Sequence, residues 1–274
     1  MFLRLATRGS ALALTQSGHV AAALTALGHE VELVMVTTQG DVSSQPLTTL
    51  GGVGVFVAAI PERADPADVI CTRGGVGLAR LPSGAKVGTG SARRAAQLLA
   101  LRPDVEICDI RGNVETRLAR IDKDLDAVLL AAAGLARLGL DAAVAERLDP
   151  SEFLPAPAQG ALAVECMEGA DHVVRALAPL DHRPTRLAAL AERAVLARLG
   201  AGCAAPVGAY ATTSATSLTL QALVAAPDGS RCLRVQGTAD FDVPGCQALG
   251  RRLADELLAQ GAAELAVVGP KAGP

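Results

Sequence analysis

The sequence predicts an α/β fold followed by a small, separate α+β domain. β-type and helical patterns alternate from the N-terminus, with a strand near 2–6, a helix near 11–27 and a strand near 30–37. Such alternation is typical of parallel sheets with covering helices. Half of the residues are hydrophobic and only 2% are aromatic, so Ala, Leu and Val must build the cores, which favours helices packed on sheets.

The alternation continues through the middle of the chain and reaches a Pro-rich passage at 153–160. A passage of this composition is typical of a crossing between lobes. The elements predicted here are a helix from the turn after Lys86 to about residue 101, a strand over 105–110, a helix over 113–123, a strand over 126–132 and a strand over 161–166.

The pattern changes from about residue 185. One long helix precedes a glycine-rich loop, three strand-like runs over 207–213, 217–226 and 231–238, and a final helix over 244–260. Consecutive short strands after a helix predict an antiparallel sheet with helices on one face.

Cys203 lies in this glycine-rich loop, between Gly202 and Pro206. Glycine and proline end the preceding helix and leave the sulfur room to carry a bulky group, so Cys203 is the candidate functional thiol. No cysteine pair has C-x-x-C spacing and the four histidines are scattered, which argues against a metal site. The remaining cysteines, interpreted mainly as buried small hydrophobes, are Cys71, Cys108, Cys166, Cys232 and Cys246.

Charge and hydropathy argue against nucleic acid and membranes as partners. A net charge of −3 with few aromatic residues argues against nucleic acid. The N-terminus has no basic region, apolar stretch and cleavage site of a signal peptide, and no apolar run is long enough to span a bilayer. Unpaired thiols are typical of a reducing compartment, so a cytoplasmic location without membrane association is expected.

Several arginines lie at or near strand-to-helix junctions. Helix N-termini offer unpaired N–H groups, and arginine adds a planar fork that matches a carboxylate. Because arginine beside the positive end of a helix dipole needs a compensating anion, the pattern predicts a carboxylate-rich ligand. The alternative, that these are ordinary surface residues, stays open for Arg93 and Arg94. The arginines are Arg8, Arg93, Arg94, Arg111 and Arg117, and their small polar neighbours are Ser10, Thr89, Ser91 and Asn113.

Two glycine-rich segments suggest a nucleotide site, but neither completes a phosphate-binding pattern. Gly88 and Gly90 begin a G-x-G sequence, and Arg93 stands where the third glycine is needed. The chain contains neither a P-loop sequence nor the G-x-S-x-G turn of serine hydrolases.

Six ordered segments resemble the porphobilinogen deaminase (hydroxymethylbilane synthase) family, and together they cover nearly the whole chain. The segments are Leu5-Ala-Thr-Arg-Gly-Ser-Ala-Leu-Ala-Leu-Thr-Gln, Gly51-Gly-Val-Gly-Val-Phe-Val, Val87-Gly-Thr-Gly-Ser-Ala-Arg-Arg, Ile110-Arg-Gly-Asn-Val-Glu-Thr-Arg-Leu, Leu154-Pro-Ala-Pro-Ala-Gln-Gly-Ala-Leu and Gly202-Cys-Ala-Ala-Pro-Val-Gly.

The resemblance implies two periplasmic-binding-protein-like α/β lobes plus a small C-terminal α+β domain. Domain 1 is expected over 1–72 and 158–182, domain 2 over 73–157, and the cofactor-attachment domain over 183–274. The implied protein is a monomeric cytoplasmic transferase of tetrapyrrole, and hence heme, biosynthesis. It joins four porphobilinogen units into hydroxymethylbilane and releases ammonia.

The resemblance also implies residue roles. Cys203 corresponds to the cysteine that holds a dipyrromethane primer through a thioether bond. The residues that correspond to cofactor-binding positions are Thr89, Ser91, Arg93 and Arg94, and those that correspond to substrate-binding positions are Arg8, Ser10, Arg111 and Arg117.

One family segment has no counterpart here. Loss of ammonia from porphobilinogen creates a cation that a carboxylate should stabilise, and in the family an aspartate in a His-Ser-(Leu/Met)-Lys-Asp segment does so. Here Val57 continues directly into a stretch that resembles a later family region, which contains Asp65 and Asp68. The gap is roughly thirty residues, about one strand-and-helix unit. The catalytic carboxylate therefore stays unassigned, and an impaired homologue or a non-enzymatic polycarboxylate-binding module are the alternatives.

Overall fold

The computed structural model describes residues 1–36, 54–121, 123–202 and 205–266. The chain divides into two compact units. Unit 1 comprises Met1–Arg63 and Ala161–Thr185, and unit 2 comprises Ala64–Gly160 together with the chain from Arg186 onward.

Unit 1 has two separate two-stranded sheets. The strands β1 (Phe2–Thr7) and β2 (Glu30–Met35) pair in parallel, whereas β3 (Val55–Ala59) and β9 (Val164–Met167) pair antiparallel. Apolar residues from both pairs and both helices share one core, which includes Leu3, Val20, Ala59 and Val164. The elements are β1 (Phe2–Thr7), α1 (Ala11–Ala26), β2 (Glu30–Met35), β3 (Val55–Ala59), β9 (Val164–Met167) and α5 (Asp171–Leu177).

Unit 2 begins with a five-stranded sheet in the order β6-β5-β7-β4-β8. The strand β5 is parallel to β6 and β7, while β4 is antiparallel to β7 and β8, so the sheet is mixed and not wholly parallel as the alternation predicted. The elements are β4 (Asp68–Thr72), β5 (Lys86–Gly88), α2 (Ala92–Leu101), β6 (Glu106–Cys108), α3 (Val114–Leu118), β7 (Ala127–Ala131), α4 (Ala132–Arg137) and β8 (Glu146–Arg147).

Several observed bounds differ from the predicted ones. The strands predicted over 105–110, 161–166 and 231–238 are observed at Glu106–Cys108, Val164–Met167 and Cys232–Asp240. Residues 64–72 belong to unit 2, in which β4 pairs along its length with β7. The helix predicted over 113–123 ends at Leu118, because a turn follows in which the Arg120 carbonyl accepts backbone hydrogen bonds from residues 123–125.

The C-terminal part of unit 2 is an antiparallel sheet in the order β10-β11-β12, as predicted. Alternate residues of β11, such as Leu218 and Leu220, share one core with the helices α6 and α7. On the opposite face, Leu223 and Ala225 of β11 pack against Ala96 of α2. The elements are α6 (Arg183–Arg198), β10 (Val207–Thr213), β11 (Ser217–Ala225), β12 (Cys232–Asp240), α7 (Val243–Ala259) and α8 (Ala262–Leu265).

The fold class predicted from the sequence is confirmed: α/β architecture with a small C-terminal α+β domain. None of the helices in the described part of the chain combines the length and apolar character needed to cross a bilayer.

Candidate functional site

Two turns meet at one edge of the five-stranded sheet of unit 2. One turn, at residues 89–91, follows β5, and the other, at residues 109–113, follows β6. Since these strands are parallel neighbours, their carboxyl ends lie side by side, where ligands bind in open α/β sheets. The Thr89 N–H donates to the Cys108 carbonyl at 3.0 Å. A Cβ on Gly90 would lie 2.5 Å from the Ile110 carbonyl oxygen, so the close approach requires glycine.

The hydroxyl groups of Thr89 and Ser91 shape the first turn. Ser91 is the N-cap of α2, and its hydroxyl accepts a 3.4 Å hydrogen bond from the Arg94 backbone N–H. The Thr89 hydroxyl accepts from the Ser91 N–H at 3.2 Å, and Thr89 is buried. These contacts hold the N-terminus of α2 in place, as expected of small polar residues at a helix start.

Arg93 and Arg94 lie in the first turn of α2, and both are buried against Asp68 of β4. Arg93 donates to one carboxylate oxygen of Asp68 at 2.6 Å, and Arg94 donates through Nε to the other at 2.8 Å. The anion that arginine at a helix start requires is therefore supplied in part by the protein itself.

A loop in the Pro-rich passage completes this cluster of Asp68, Arg93 and Arg94, which we call the arginine cluster. Gln159 donates to the Asp68 carboxylate at 3.0 Å, and Arg93 donates to the Leu154 carbonyl at 2.7 Å. Among the side chains that the structure describes, Arg93 Nε is the one buried nitrogen or oxygen atom without a hydrogen-bond partner. Two guanidinium groups share one carboxylate, so the cluster carries one net positive charge.

Electrostatics keep Asp68 ionised. Burial opposes its charge, but attraction by Arg93 and Arg94 prevails and holds the pKa of the carboxyl below its usual value. Burial also lowers the pKa of Arg93, opposed by the attraction of Asp68.

Arg117 and Arg111 extend the positive charge along the second turn. Arg117 donates to the Gly112 carbonyl at 2.9 Å, and its pKa is lowered by burial and then by repulsion from Arg94. Arg111 is exposed and forms a loose ion pair with Asp109 at 3.8 Å. The structure therefore places Thr89, Ser91 and all four of these arginines on α2, on α3 or in the two turns.

The other predicted residues lie elsewhere or outside the described chain. Arg8 and Ser10 are in unit 1, directly after β1, where both are exposed and the Ser10 hydroxyl caps α1 through the Ala13 N–H. Cys203 lies outside the described residues.

The interpretation of the other cysteines as buried is correct for two of them. Cys71 and Cys246 are buried, Cys108 and Cys166 are half-buried, and Cys232 is exposed. Cys232 is the first residue of β12, so it lies at a strand end where alternation does not force burial. Burial raises the pKa of the Cys71 thiol to about 11. Within the described ranges, no group of His, Cys, Asp and Glu side chains is arranged to hold a metal ion.

Glu192 is a further residue that sequence patterns did not indicate. Its carboxylate, fully buried on α6, accepts hydrogen bonds from the backbone N–H groups of Ala158 at 2.5 Å and Ala211 at 2.8 Å. Ala158 has φ of 64°, the left-handed region that non-glycine residues rarely adopt. Glu192 thus supports the turn that presents Gln159 to Asp68. A glutamate in a charged helix carries no local signal of this role.

Comparison with known families matches nearly the whole chain. The family model "Porphobilinogen deaminase, dipyromethane cofactor binding domain" matches residues 3–60 and 57–175, and "Porphobilinogen deaminase, C-terminal domain" matches residues 186–259.

Curated relatives named porphobilinogen deaminase include those of Cutibacterium acnes and Thermobifida fusca. The first is 47% identical over 322 residues, covering 96% of both chains. The second is 46% identical over 304 residues, covering 96% of this chain and 95% of the relative. Both alignments are longer than the 274 residues of this chain, so each relative contains positions that have no counterpart here.

Similarity to solved structures is weaker. A periplasmic substrate-binding protein of an ABC transporter from Coxiella burnetii is 16% identical, with a TM-score of 0.42, over 68% of this chain and 94% of that one. A putative methionine-binding lipoprotein from Bacillus subtilis is 11% identical, with a TM-score of 0.43, over 65% of this chain and 89% of that one.

Proposed function

Because the chain belongs to the porphobilinogen deaminase family, we propose that it acts as a hydroxymethylbilane synthase. In this proposal it condenses four porphobilinogen units into the linear tetrapyrrole hydroxymethylbilane, with release of ammonia. The reaction is carried on a dipyrromethane primer attached to Cys203 through a thioether bond. We further propose that the protein works as a monomer in the cytoplasm, with no nucleic-acid partner.

The single observation that supports this proposal is the net positive charge of the arginine cluster at the ligand edge of the sheet. Porphobilinogen and dipyrromethane carry acetate and propionate side chains, which are anions at neutral pH. The cluster holds two guanidinium groups against one carboxylate, and Arg93 Nε has no hydrogen-bond partner among the described residues. Arginine attracts carboxylates, and in this proposal the one uncompensated positive charge of the cluster attracts the carboxylates of the primer.

Each residue has a distinct task in the proposed mechanism. Arg93 and Arg94 neutralise the primer carboxylates, while Thr89 and Ser91 fix the start of the helix that carries both arginines. Arg111 and Arg117 bind carboxylates of the incoming substrate. Arg8 and Ser10 of unit 1 are also assigned to substrate binding in this proposal. When bound, dipyrromethane supplies the pyrrole carbon to which the first substrate unit is joined. Orientation of two reactants by fixed charges removes much of the entropic cost of their encounter.

One observation favours a second candidate, an impaired homologue or a non-enzymatic module that binds a polycarboxylate or tetrapyrrole. The cation formed when ammonia leaves needs a nearby carboxylate. Asp68 is fully buried and engaged by Arg93 and Arg94, and is therefore unsuited to contact that cation. The catalytic carboxylate has no assigned residue in this chain.

The intact mass of the denatured protein, before and after exposure to porphobilinogen, tests the proposal. We expect an increment of one dipyrromethane unit on the purified chain and on Cys232→Ser, a control that removes an exposed cysteine. Cys203→Ser should lack the increment. Further pyrrole-sized steps on adding substrate would support the synthase.

Two other results would distinguish the synthase from the impaired homologue and from the binding module. A primer increment without further steps would overturn the synthase and support the impaired homologue. A mass equal to the bare chain in every sample would reject the covalent primer and leave the binding module.

A further inference from the structure

Gln159 lies between two residues with left-handed backbone conformations. Ala158 on one side has φ of 64°, and Gly160 on the other side has φ of 87°. Because alanine rarely adopts this conformation, the strain at Ala158 points to a functional constraint on the turn. The buried carboxylate of Glu192 offsets the strain by accepting a hydrogen bond from the Ala158 N–H. The protein therefore maintains a strained turn that fixes the position of Gln159.

The side-chain amide of Gln159 is oriented by its partners. Its Nε2 atom donates to the Pro66 carbonyl at 2.7 Å and to the Asp68 carboxylate at 3.0 Å. Its Oε1 atom faces the arginines and accepts from Nη2 of Arg93 at 3.4 Å and from Nη2 of Arg94 at 3.5 Å. The same two arginines donate to Asp68 at 2.6 and 2.8 Å. The amide oxygen is thus the weaker of their two acceptors, because its contacts are near the upper limit of a hydrogen bond.

One edge of the Arg93 guanidinium group is not saturated. A guanidinium group binds both oxygens of a carboxylate through two parallel N–H groups on one edge. In Arg93, Nε and Nη2 form such an edge. Within the described part of the chain, the buried Nε atom has no hydrogen-bond partner, and Nη2 donates to Gln159 at 3.4 Å. Because Nη1 already donates to Asp68 and to the Leu154 carbonyl, a carboxylate would bind at the edge formed by Nε and Nη2.

Gln159 is also neutral and more accessible than its partners. Asp68, Arg93 and Arg94 are buried, whereas Gln159 is half-buried. A ligand that approaches the arginines from solvent therefore meets the Gln159 amide. A carboxylate in place of this amide would bring the net charge of the group to zero, because two carboxylates would then face two guanidinium groups. The amide accepts from both arginines and leaves their one uncompensated positive charge available.

We propose that Gln159 is the specificity-determining residue of the arginine cluster. Its amide oxygen holds the place of one carboxylate oxygen of the ligand, which takes over Nη2 of Arg93 and Arg94 and supplies Nε of Arg93 with an acceptor. Because Gln159 carries no charge, the site accepts an anion, and an acidic side chain at this position would repel it. The proposal rests on the proposed function for the identity of the carboxylate, which is an acetate or propionate group of a pyrrole.

Binding of porphobilinogen to a full chain that cannot carry the primer tests the proposal. In a Cys203→Ser background the arginine cluster stays free of covalent primer, and isothermal titration calorimetry at neutral pH measures the dissociation constant. We expect Gln159→Glu to weaken binding by roughly tenfold or more, because it places a carboxylate against those of the ligand. Gln236→Glu, at an exposed site on β12, adds the same charge elsewhere and is the matched control. It should bind porphobilinogen as the background does.

A second pair of variants separates the effect of charge from a purely structural role of Gln159. Gln159→Asp and Gln159→Asn have side chains of nearly equal size, and both lose the original contacts of the amide. We expect Gln159→Asp to bind porphobilinogen roughly fivefold or more weakly than Gln159→Asn, because only the former adds a negative charge. The same pair keeps the test available should Gln159→Glu fail to fold by circular dichroism.

Three results would overturn the proposal. One is equal dissociation constants for Gln159→Glu and Gln236→Glu, and another is equal dissociation constants for Gln159→Asp and Gln159→Asn. The third is a Cys203→Ser background that does not bind porphobilinogen. Failure of the proposed function gives a different result, in which the parent chain binds porphobilinogen but its intact mass never increases. The comparison of the Gln159 variants would remain valid in that case, because it requires no covalent primer.

Discussion

The carboxylate of Glu192 accepts a 2.5 Å hydrogen bond from the backbone N–H of Ala158, the one described non-glycine residue with positive φ. Gln159 follows immediately and donates to Asp68, which in turn binds Arg93 and Arg94. A continuous line of contacts therefore connects α6, the helix that precedes the Cys203 loop in the sequence, to the arginine cluster.

Glu192→Ala should lower the free energy of unfolding by about 1–3 kcal/mol. The reason is that the backbone N–H groups of Ala158 and Ala211 lose a buried acceptor. Urea unfolding followed by circular dichroism measures the change. Glu256→Ala, at an exposed site on α7, is the control and should stay near the parent value. Equal midpoints for the two variants would contradict a structural role of Glu192.

Asp68→Asn should lower the free energy of unfolding at neutral pH by about 3–5 kcal/mol, since it leaves two buried guanidinium groups without a counter-charge. Asp65→Asn is the matched comparison. It removes a partly exposed ion pair with Arg147, for which a loss of about 1 kcal/mol or less is expected.

The ionisation of Asp68 also predicts that the free energy of unfolding depends on pH. The pKa of Asp68 is lower in the folded state than its usual value, so its contribution is complete above that usual value, near pH 4, and is lost as the pH falls through the folded-state pKa. The parent chain should lose stability below about pH 4 more steeply than Asp68→Asn. Urea unfolding measured from pH 7 down to pH 3 compares how steeply the free energy of unfolding falls in the parent chain and in Asp68→Asn. Parallel curves would contradict the prediction.

Gly90→Ala should destabilise the protein by about 1–3 kcal/mol, because the new Cβ would lie 2.5 Å from the backbone carbonyl of Ile110. Gly134→Ala, inside α4, meets nothing nearer than 3.9 Å and should be neutral or slightly stabilising, as alanine favours helices. Thermal unfolding of both variants shows the contrast. Shifts of the same sign and size would mean that the two turns of the site do not depend on this close approach.

Iodoacetamide at pH 8 should label the exposed Cys232 well before Cys71. Burial raises the pKa of Cys71 to about 11 and also removes its sulfur from solvent. Peptide mass mapping after timed labelling measures both rates. Labelling of Cys71 is expected only once the protein is unfolded, and fast labelling of the native protein would show that β4 opens readily.

Local elements were predictable because their signals are local. The periodicity that predicted a helix over 11–27 and strands over 207–213 and 217–226 is a property of consecutive residues, and the observed bounds differ by one residue or none. The helix over 113–123 was predicted too long, because turn hydrogen bonds to the Arg120 carbonyl replace it after Leu118.

By itself the sequence determined the fold class, the family and the position of the arginines at the strand-to-helix junctions. Only the tertiary structure decided that Asp68 pairs with Arg93 and Arg94 and that Glu192 supports Ala158. The physical reason is that these relationships join residues 25 or more positions apart. Their existence depends on strand order and register, which no short stretch of sequence specifies.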